Sequence, residues 1–180
     1  MNIFKTTFIL LGCVIMANAQ SIEGKLTLNG KTKTSLELKS NSAVNLFKEF
    51  KTGKYQLKFN FKGKELVKNV YKEEIVFFNF KTVVKRDGKL VKNVIRKQPI
   101  PYFPGDMGIP AEAFDFVGLL AIDPEEEEEE VQMLKKGIIG LMPPGNYTIE
   151  LYAEPVGTKG KINPVIFSFT VRKNPKLSKY

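Results

Sequence analysis

The chain has 180 residues, a formal net charge of +9, a single cysteine and neither histidine nor tryptophan. Without histidine a Ser-His-Asp triad is excluded, and an ordinary zinc site lacks its usual ligands. The composition therefore predicts a basic, non-catalytic protein that uses no cofactor and no metal.

The first nineteen residues have the pattern of a secretory signal peptide. Lys5 gives a positive start, an apolar run covers residues 8–16, and Ala17-Asn18-Ala19 has the small residues of a cleavage site. The apolar run is too short to be a transmembrane helix. We therefore expect cleavage after Ala19, export to the bacterial envelope or the medium, and no transmembrane segment in the mature chain.

Cys13 leaves a second interpretation open, because residues 10–13 partly resemble the box that precedes a lipid-modified cysteine. Leu11 is bulky for a position beside that cysteine, and the apolar run continues to a good cleavage site, so lipidation is less favoured. Cleavage after residue 19 removes the only cysteine, so we expect a disulfide-free domain. Secreted eukaryotic domains usually carry disulfides, and their absence favours a bacterial protein.

Residues 20–180 predict one domain made of short β-strands separated by turns. Alternating or continuous apolar residues indicate strands at 22–28, 32–38, 43–47, 55–61, 66–71, 75–84, 90–95, 147–153 and 165–171. Asn29-Gly30 and Asp87-Gly88 favour tight hairpin turns. The run at 75–84 predicts either a strand buried on both faces or a strand that crosses between sheets.

The last two strands indicate the fold class. Apolar residues alternate at Tyr147, Ile149, Leu151 and Ala153, and again at Val165, Phe167, Phe169 and Val171. About nine such strands predict an all-β, immunoglobulin-like antiparallel β-sandwich. Gly145-Asn146-Tyr147 resembles the tyrosine turn of that fold, over about residues 138–173, and the resemblance implies a hydroxyl bonded to the backbone. The Ala-Gln start and Lys/Asn/Phe-rich composition resemble secreted proteins of the Bacteroidetes.

Two segments interrupt the strand pattern. Residues 98–110 hold four prolines and two glycines, which predict an extended loop without a sheet ladder. A short helical insertion is expected over about 110–136, because Pro110 fits the start of one helix and Asp123 the N-cap of a second at 124–136. Glu125–Glu130 is interpreted as a solvated face of that helix, since consecutive glutamates do not converge on one calcium ion.

The apolar side chains of these segments are the predicted binding site. The candidate ligand-binding residues are Tyr102, Phe103, Met107, Ile109, Phe114 and Phe116. We expect them to contact a protein or polysaccharide of the envelope. Another interpretation is that they plug one end of an ordinary core.

A carrier of lipid is the alternative function. The last third of the chain runs from the Pro-rich loop through Pro-Pro-Gly-Asn-Tyr-Thr-Ile-Glu-Leu to Phe-Ser-Phe-Thr-Val. It is similar to the lipid-recognition sandwiches of the ganglioside-activator type, although their disulfide cysteines are missing. The resemblance implies an apolar ligand between the sheets, entering past the same residues together with Ile100, Leu119 and Leu120.

The charged residues suggest further binding partners and one possible enzymatic activity. The basic surface favours anionic polymers or lipids. However, lysines such as Lys58 and Lys62 alternate with apolar residues, as on the polar face of a strand, and no nucleic-acid partner is expected. Asp106, Glu112 and Asp115 are the carboxylates available to a glycosidase-like enzyme, the least favoured alternative.

Overall fold

The computed structural model describes residues 20–37, 50, 53–96, 98–114 and 144–172. These residues form eleven strands and one turn of 3-10 helix, Ala111–Phe114. The strands are β1 (Ser21–Leu28), β2 (Lys33–Ser35), β3 (Leu57–Lys64), β4 (Val67–Lys68), β5 (Glu74–Arg86), β6 (Lys89–Ile95), β7 (Ile100–Tyr102), β8 (Gly105–Gly108), β9 (Gly145–Val156), β10 (Lys159–Asn163) and β11 (Val165–Val171). The predicted strand at 43–47 and helix at 124–136 lie outside the described residues.

The strands form two packed sheets. The first sheet has the order β10-β1-β3-β8, and the second has the order β2-β11-β9-β5. Along the free edge of β5, strands β4, β7 and β6 pair one after another. Most pairs are antiparallel, while β1 with β10 and β2 with β11 are parallel. The structure thus confirms the predicted all-β sandwich.

Aromatic side chains fill the space between the sheets. Phe59 and Phe61 of β3 meet Phe78 of β5 edge to face, with ring centroids 4.9 and 5.1 Å apart. This geometry is the favourable one for aromatic pairs. The inward residues that alternation predicted on β9 and β11 are all buried. Period-two patterning therefore identified the core of the closing strands correctly.

Strand β5 lies at the centre of the second sheet. It stays in this sheet over its whole length and pairs with β9 from Phe77 to Arg86. Val76, Phe78 and Phe80 are buried, whereas Phe77 is exposed on the outer side. The strand does not cross between sheets. It is buried on both faces only where Thr82, Val83 and Val84 follow one another, and elsewhere it buries mainly one face.

The Pro-rich segment corrects a second expectation. Instead of excluding a ladder, it supplies β7, which pairs with β5, and β8, which pairs with β3. Both strands are short and lie at sheet edges, where a missing proline N–H is tolerated. Pro104 lies between them, where the chain passes from the second sheet to the first. Strand β10 was also missed, because Lys159–Asn163 contains a single apolar residue, Ile162.

The two predicted hairpin dipeptides adopt the backbone that their sequences favour. Asn29 and Gly30 have φ values of 48° and 80°, and Asp87 and Gly88 have values of 49° and 77°. Paired positive φ angles define a type I′ turn. The second turn joins β5 to β6, and the Asp87 carboxylate accepts a hydrogen bond from the Asn146 N–H at 2.9 Å.

Candidate functional site

The structure describes five of the six predicted ligand-binding residues and places four of them against the core. Ile109 and Phe114 are buried, and half-buried Tyr102 and Met107 pack on the core cluster. Of the described five, Phe103 alone is largely exposed, at 48%. The sixth, Phe116, lies outside the described residues.

Tyr102 shows why these apolar residues turn inward. It is the last residue of β7 and lies opposite Val76 of β5. Its ring lies 5.6 Å from the rings of both Phe59 and Phe80, so it extends the aromatic core. Burial raises the pKa of its hydroxyl, an effect that the positive charge of Arg96 partly offsets. Pairing with β5 therefore decides which side of the Pro-rich segment reaches solvent.

The most exposed large apolar side chains in the described part of the chain lie in the loop between β4 and β5. Val70 is 90% exposed and Tyr71 is 80% exposed. The sequence predicted a strand over 66–71, but only Val67–Lys68 is a strand, and residues 69–73 form a loop. Asn69 and Tyr71 were therefore assigned to the wrong kind of element.

Asn69 organises this loop. Its side-chain oxygen accepts hydrogen bonds from the N–H groups of Tyr71 and Glu73, at 2.9 and 3.0 Å. Its side-chain amide donates to the Glu73 carboxylate at 3.0 Å, and its own N–H donates to the Glu73 carbonyl at 2.9 Å. Lys72 completes the turn with a φ of 65°, a left-handed conformation. The loop thus holds Val70 and Tyr71 outward on a fixed backbone.

Further exposed apolar residues lie at the same end of the second sheet, where β5 begins and β9 ends. Phe77 lies opposite Val156 of β9 and Pro101 of β7, so the three share one outward-facing row. Val67 lies opposite Ile75, two residues from Phe77 on the same face. We call the exposed large residues of this end the apolar tip: Val67, Val70, Tyr71, Phe77, Phe103 and Val156.

Charged side chains surround the apolar tip. Lys68 and Glu74 lie opposite each other where β4 pairs with β5, and Lys72 and Glu73 belong to the loop beside Tyr71. All four are exposed. An apolar centre with a charged rim is the arrangement found at protein–protein interfaces.

A cavity of about 440 Å³ lies at the opposite end of the sandwich, where β3 begins. Its lining includes Phe50, Tyr55, Leu57, Ile109 and Ala111. The volume falls within the range of small-molecule sites, about 300–1,000 Å³. Of the five predicted site residues that the structure describes, Ile109 alone is part of this lining.

Of the three carboxylates considered for catalysis, the structure describes the side chain of Asp106 alone. Asp106 is exposed and lies 3.8 Å from the Lys58 ammonium in an ion pair. Glu112 belongs to the 3-10 helix, and Asp115 lies outside the described residues. Over the described ranges the structure contains no group of three potential metal ligands and no helix long and apolar enough to span a membrane.

A charged cluster on the outer face of the second sheet shifts the pKa values of two of its own side chains, Glu150 and Tyr152. Glu150 accepts hydrogen bonds from the Lys85 ammonium and the Tyr152 hydroxyl, both at 2.5 Å. Burial acts to raise the pKa of Glu150, but these two hydrogen bonds, together with the positive charges of Lys85 and Lys81, hold the pKa below its ordinary value. The bond to Glu150, together with burial, raises the pKa of Tyr152 to about 12. The polar groups of this cluster are therefore hydrogen-bonded to one another.

Tyr147, which resembles the tyrosine of the immunoglobulin-like turn, is buried at the start of β9. Its ring stacks on Phe169 with centroids 5.5 Å apart. Burial raises the pKa of its hydroxyl, while a hydrogen bond with the Arg86 side chain acts in the opposite direction. Tyr147 therefore has a structural role in the core.

Neither a protein-family model nor a curated protein matches this sequence. We therefore infer function from the geometry of the apolar tip, the cavity and the charged surfaces.

Proposed function

We propose that the protein is an exported, non-catalytic binding module that contacts a partner protein of the cell envelope or medium through the apolar tip. One observation carries this proposal: Val70 and Tyr71 stand 90% and 80% exposed on a loop that Asn69 holds in place. The signal-peptide pattern of residues 1–19 supports export.

The energetics of the tip favour binding over a purely structural role. Val70 and Tyr71 contribute little to the core, because most of their surface remains in water. A loop whose backbone is already fixed loses little conformational entropy when it binds, which strengthens association. Tyrosine is also among the residue types that supply most of the energy at protein interfaces.

The shape of the tip favours a protein over a sugar. Aliphatic residues such as Val70 and Val156 lie among its aromatic ones. A sugar-binding platform needs flat aromatic rings, whereas mixed aliphatic and aromatic groups inside a charged rim fit the apolar anchors of a protein.

The test is affinity capture from envelope and medium extracts of the source cells. Wild type is compared with Tyr71→Ser/Phe103→Ser, which removes two aromatic rings from the tip. A captured protein should bind the purified wild type, and the double variant should bind it at least about tenfold more weakly, as for loss of an interface hot spot. The wild type and the double variant should give the same far-UV circular dichroism.

A matched control uses apolar residues at the other end of the same sheet. Leu90 and Val91 of β6 are 62% and 56% exposed, and Leu90→Ser/Val91→Ser should leave capture unchanged. Equal loss in the two double variants, or equal binding by all three proteins, would mean that the tip is not the contact surface.

The cavity supports a second candidate, a carrier of an apolar molecule. Tyr55, Leu57 and Ile109 give it an apolar wall, and the volume of about 440 Å³ is sufficient for a small ligand. Native and denaturing mass spectrometry of the purified protein distinguishes the candidates. Extra mass present only in the native spectrum favours the carrier, and a bare chain that still captures its partner favours the module.

A further inference from the structure

The outward face of the first sheet carries a concentration of positive charge. Its exposed lysines are Lys25, Lys58, Lys62, Lys64, Lys159 and Lys161, and we call this surface the basic face. Its described acidic residues are Glu23 and Asp106, which leaves a net charge of +4. The face shares no residue with the apolar tip, which lies at the end of the second sheet and in the connection from β7 to β8.

Strand register places these lysines in rows. Lys161 of β10 and Lys62 of β3 flank Glu23 of β1. In the row nearest the start of β1, Lys159 and Lys64 flank Ser21. Neighbouring strands are about 4.8 Å apart and alternate residues about 6.6 Å, so the rows form a regular grid of cations.

Most of this charge is unpaired within the described chain. Lys62 lies 2.8 Å from Glu23, and Lys58 makes the longer pair with Asp106. The structure shows no ion pair between any described carboxylate and the remaining four lysines of the face. These four ammonium groups are therefore available to an external anion.

The outer face of the second sheet has a different charge arrangement. There Lys85 pairs with Glu150 at 2.5 Å, and Lys81 pairs with Glu154 at 3.9 Å. The two lysines of β5 on that face are thus matched by carboxylates of β9, whereas on the basic face lysines outnumber carboxylates.

We propose that the basic face binds an anionic polysaccharide, one whose sugar units carry carboxylate or sulfate groups. Lysine ammonium groups would pair with the acidic groups. Asn60 and Asn163 lie on either side of Lys25 in the same row, and their amides can bond sugar hydroxyls. An extended chain of charged sugars matches a flat, regular grid of cations and amides.

The other partners of a basic surface fit this face less well. In its described part no large apolar side chain is exposed, so it lacks the anchors that protein interfaces use. For the same reason it offers nothing to insert among lipid tails, and a bilayer would be held by charge alone.

The test measures binding of the purified protein to dextran sulfate and polygalacturonate, with neutral dextran as the uncharged control. The face variant is Lys25→Gln/Lys64→Gln/Lys161→Gln, which spares the ion pairs of Lys58 and Lys62. We expect both anionic polymers to bind and neutral dextran not to bind. Binding should weaken with salt, and the face variant should bind about tenfold more weakly.

A matched variant removes the same charge elsewhere. Lys31, Lys33 and Lys89 are exposed and lie off the basic face, so Lys31→Gln/Lys33→Gln/Lys89→Gln should keep nearly wild-type affinity. Equal weakening in both triple variants would show that net charge alone drives binding and would overturn the proposal.

Two further measurements identify other occupants. Vesicles of phosphatidylcholine with phosphatidylglycerol should bind more weakly than the polymers, and tighter, face-dependent vesicle binding would overturn the proposal in favour of a membrane. Replacing Glu125–Glu130 with glutamine should change polymer affinity little. If polymer bound only after that replacement, the face would be matched to the acidic run of its own chain, and the proposal would fail.

Discussion

Among single residues, Glu150 and Tyr152 shift each other's pKa through the hydrogen bond between their side chains. The hydrogen bond between them raises the Tyr152 pKa to about 12, above the ordinary value of about 10. A raised folded-state pKa stabilises the fold below the unfolded pKa, and this contribution is lost as pH rises from about 10 to 12. For Glu150 the pKa is lowered, so its contribution is present above about 4.3 and is lost on acidification.

The substitution Glu150→Gln removes the carboxylate that is the main cause of the raised Tyr152 pKa. The Tyr152 pKa should therefore fall towards about 10. NMR of ring-labelled tyrosine across alkaline pH measures it, with Tyr152→Phe assigning the signal. Glu154→Gln is the control, because Glu154 is the smallest of the causes that raise the Tyr152 pKa. A wild-type Tyr152 that titrates near 10 would contradict the interpretation of the cluster.

At the scale of elements, the β4–β5 loop depends on one side chain. Asn69→Ala removes the acceptor for the N–H groups of Tyr71 and Glu73. We expect these two amides to exchange with solvent about tenfold faster, since losing hydrogen bonds of about 1 kcal/mol each favours local opening. The global free energy of unfolding should change little, because the loop lies outside the core.

Hydrogen exchange followed by NMR measures this effect. Asn93→Ala, at an exposed position of β6, is the control and should leave both amides unchanged. If the Tyr71 and Glu73 amides already exchanged at random-coil rates in the wild type, Asn69 would not hold the loop, and the entropy argument for the apolar tip would lose its basis.

The strands and turns show how far the sequence predicts the structure. Alternation identified β9 and β11 because each buries one face, and dipeptides with positive φ identified the turns. The sequence did not predict β7 and β8. Their prolines would exclude a central strand, but they are tolerated in these edge strands. The strand predicted at 66–71 is a loop from residue 69 onward, because the Asn69 side-chain oxygen accepts hydrogen bonds from the Tyr71 and Glu73 N–H groups, which are then not available to a sheet.

The candidate sites were less predictable than the strands, for a physical reason. Phe103 and Phe114 belong to the same apolar class, yet one is exposed and the other is buried. Phe103 follows β7, whose pairing with β5 turns Tyr102 inward, whereas Phe114 lies in the 3-10 helix with its ring 4.9 Å from that of Phe80. Local patterns carry no information about these long-range contacts. The basic face likewise forms only because β10 joins β1 in parallel and adds Lys159 and Lys161 to the lysines of β3.

At the scale of the whole molecule, the sandwich separates two kinds of surface. The apolar tip lies at one end of the second sheet, and the basic face covers the outside of the first. No residue belongs to both sets. A module built this way can hold an anionic polymer with one sheet while it contacts a protein with the other, so the two activities should be independent.

This independence is the last prediction. Tyr71→Ser/Phe103→Ser should lose the protein partner and keep dextran sulfate binding, because every ammonium group of the basic face remains. The face variant at Lys25, Lys64 and Lys161 should show the opposite loss, since the tip remains intact. Binding titrations of both variants with both probes measure it. If each variant lost both activities, the two surfaces would form one site. If one variant kept the binding activity assigned to its own surface, the proposal for that surface alone would fail.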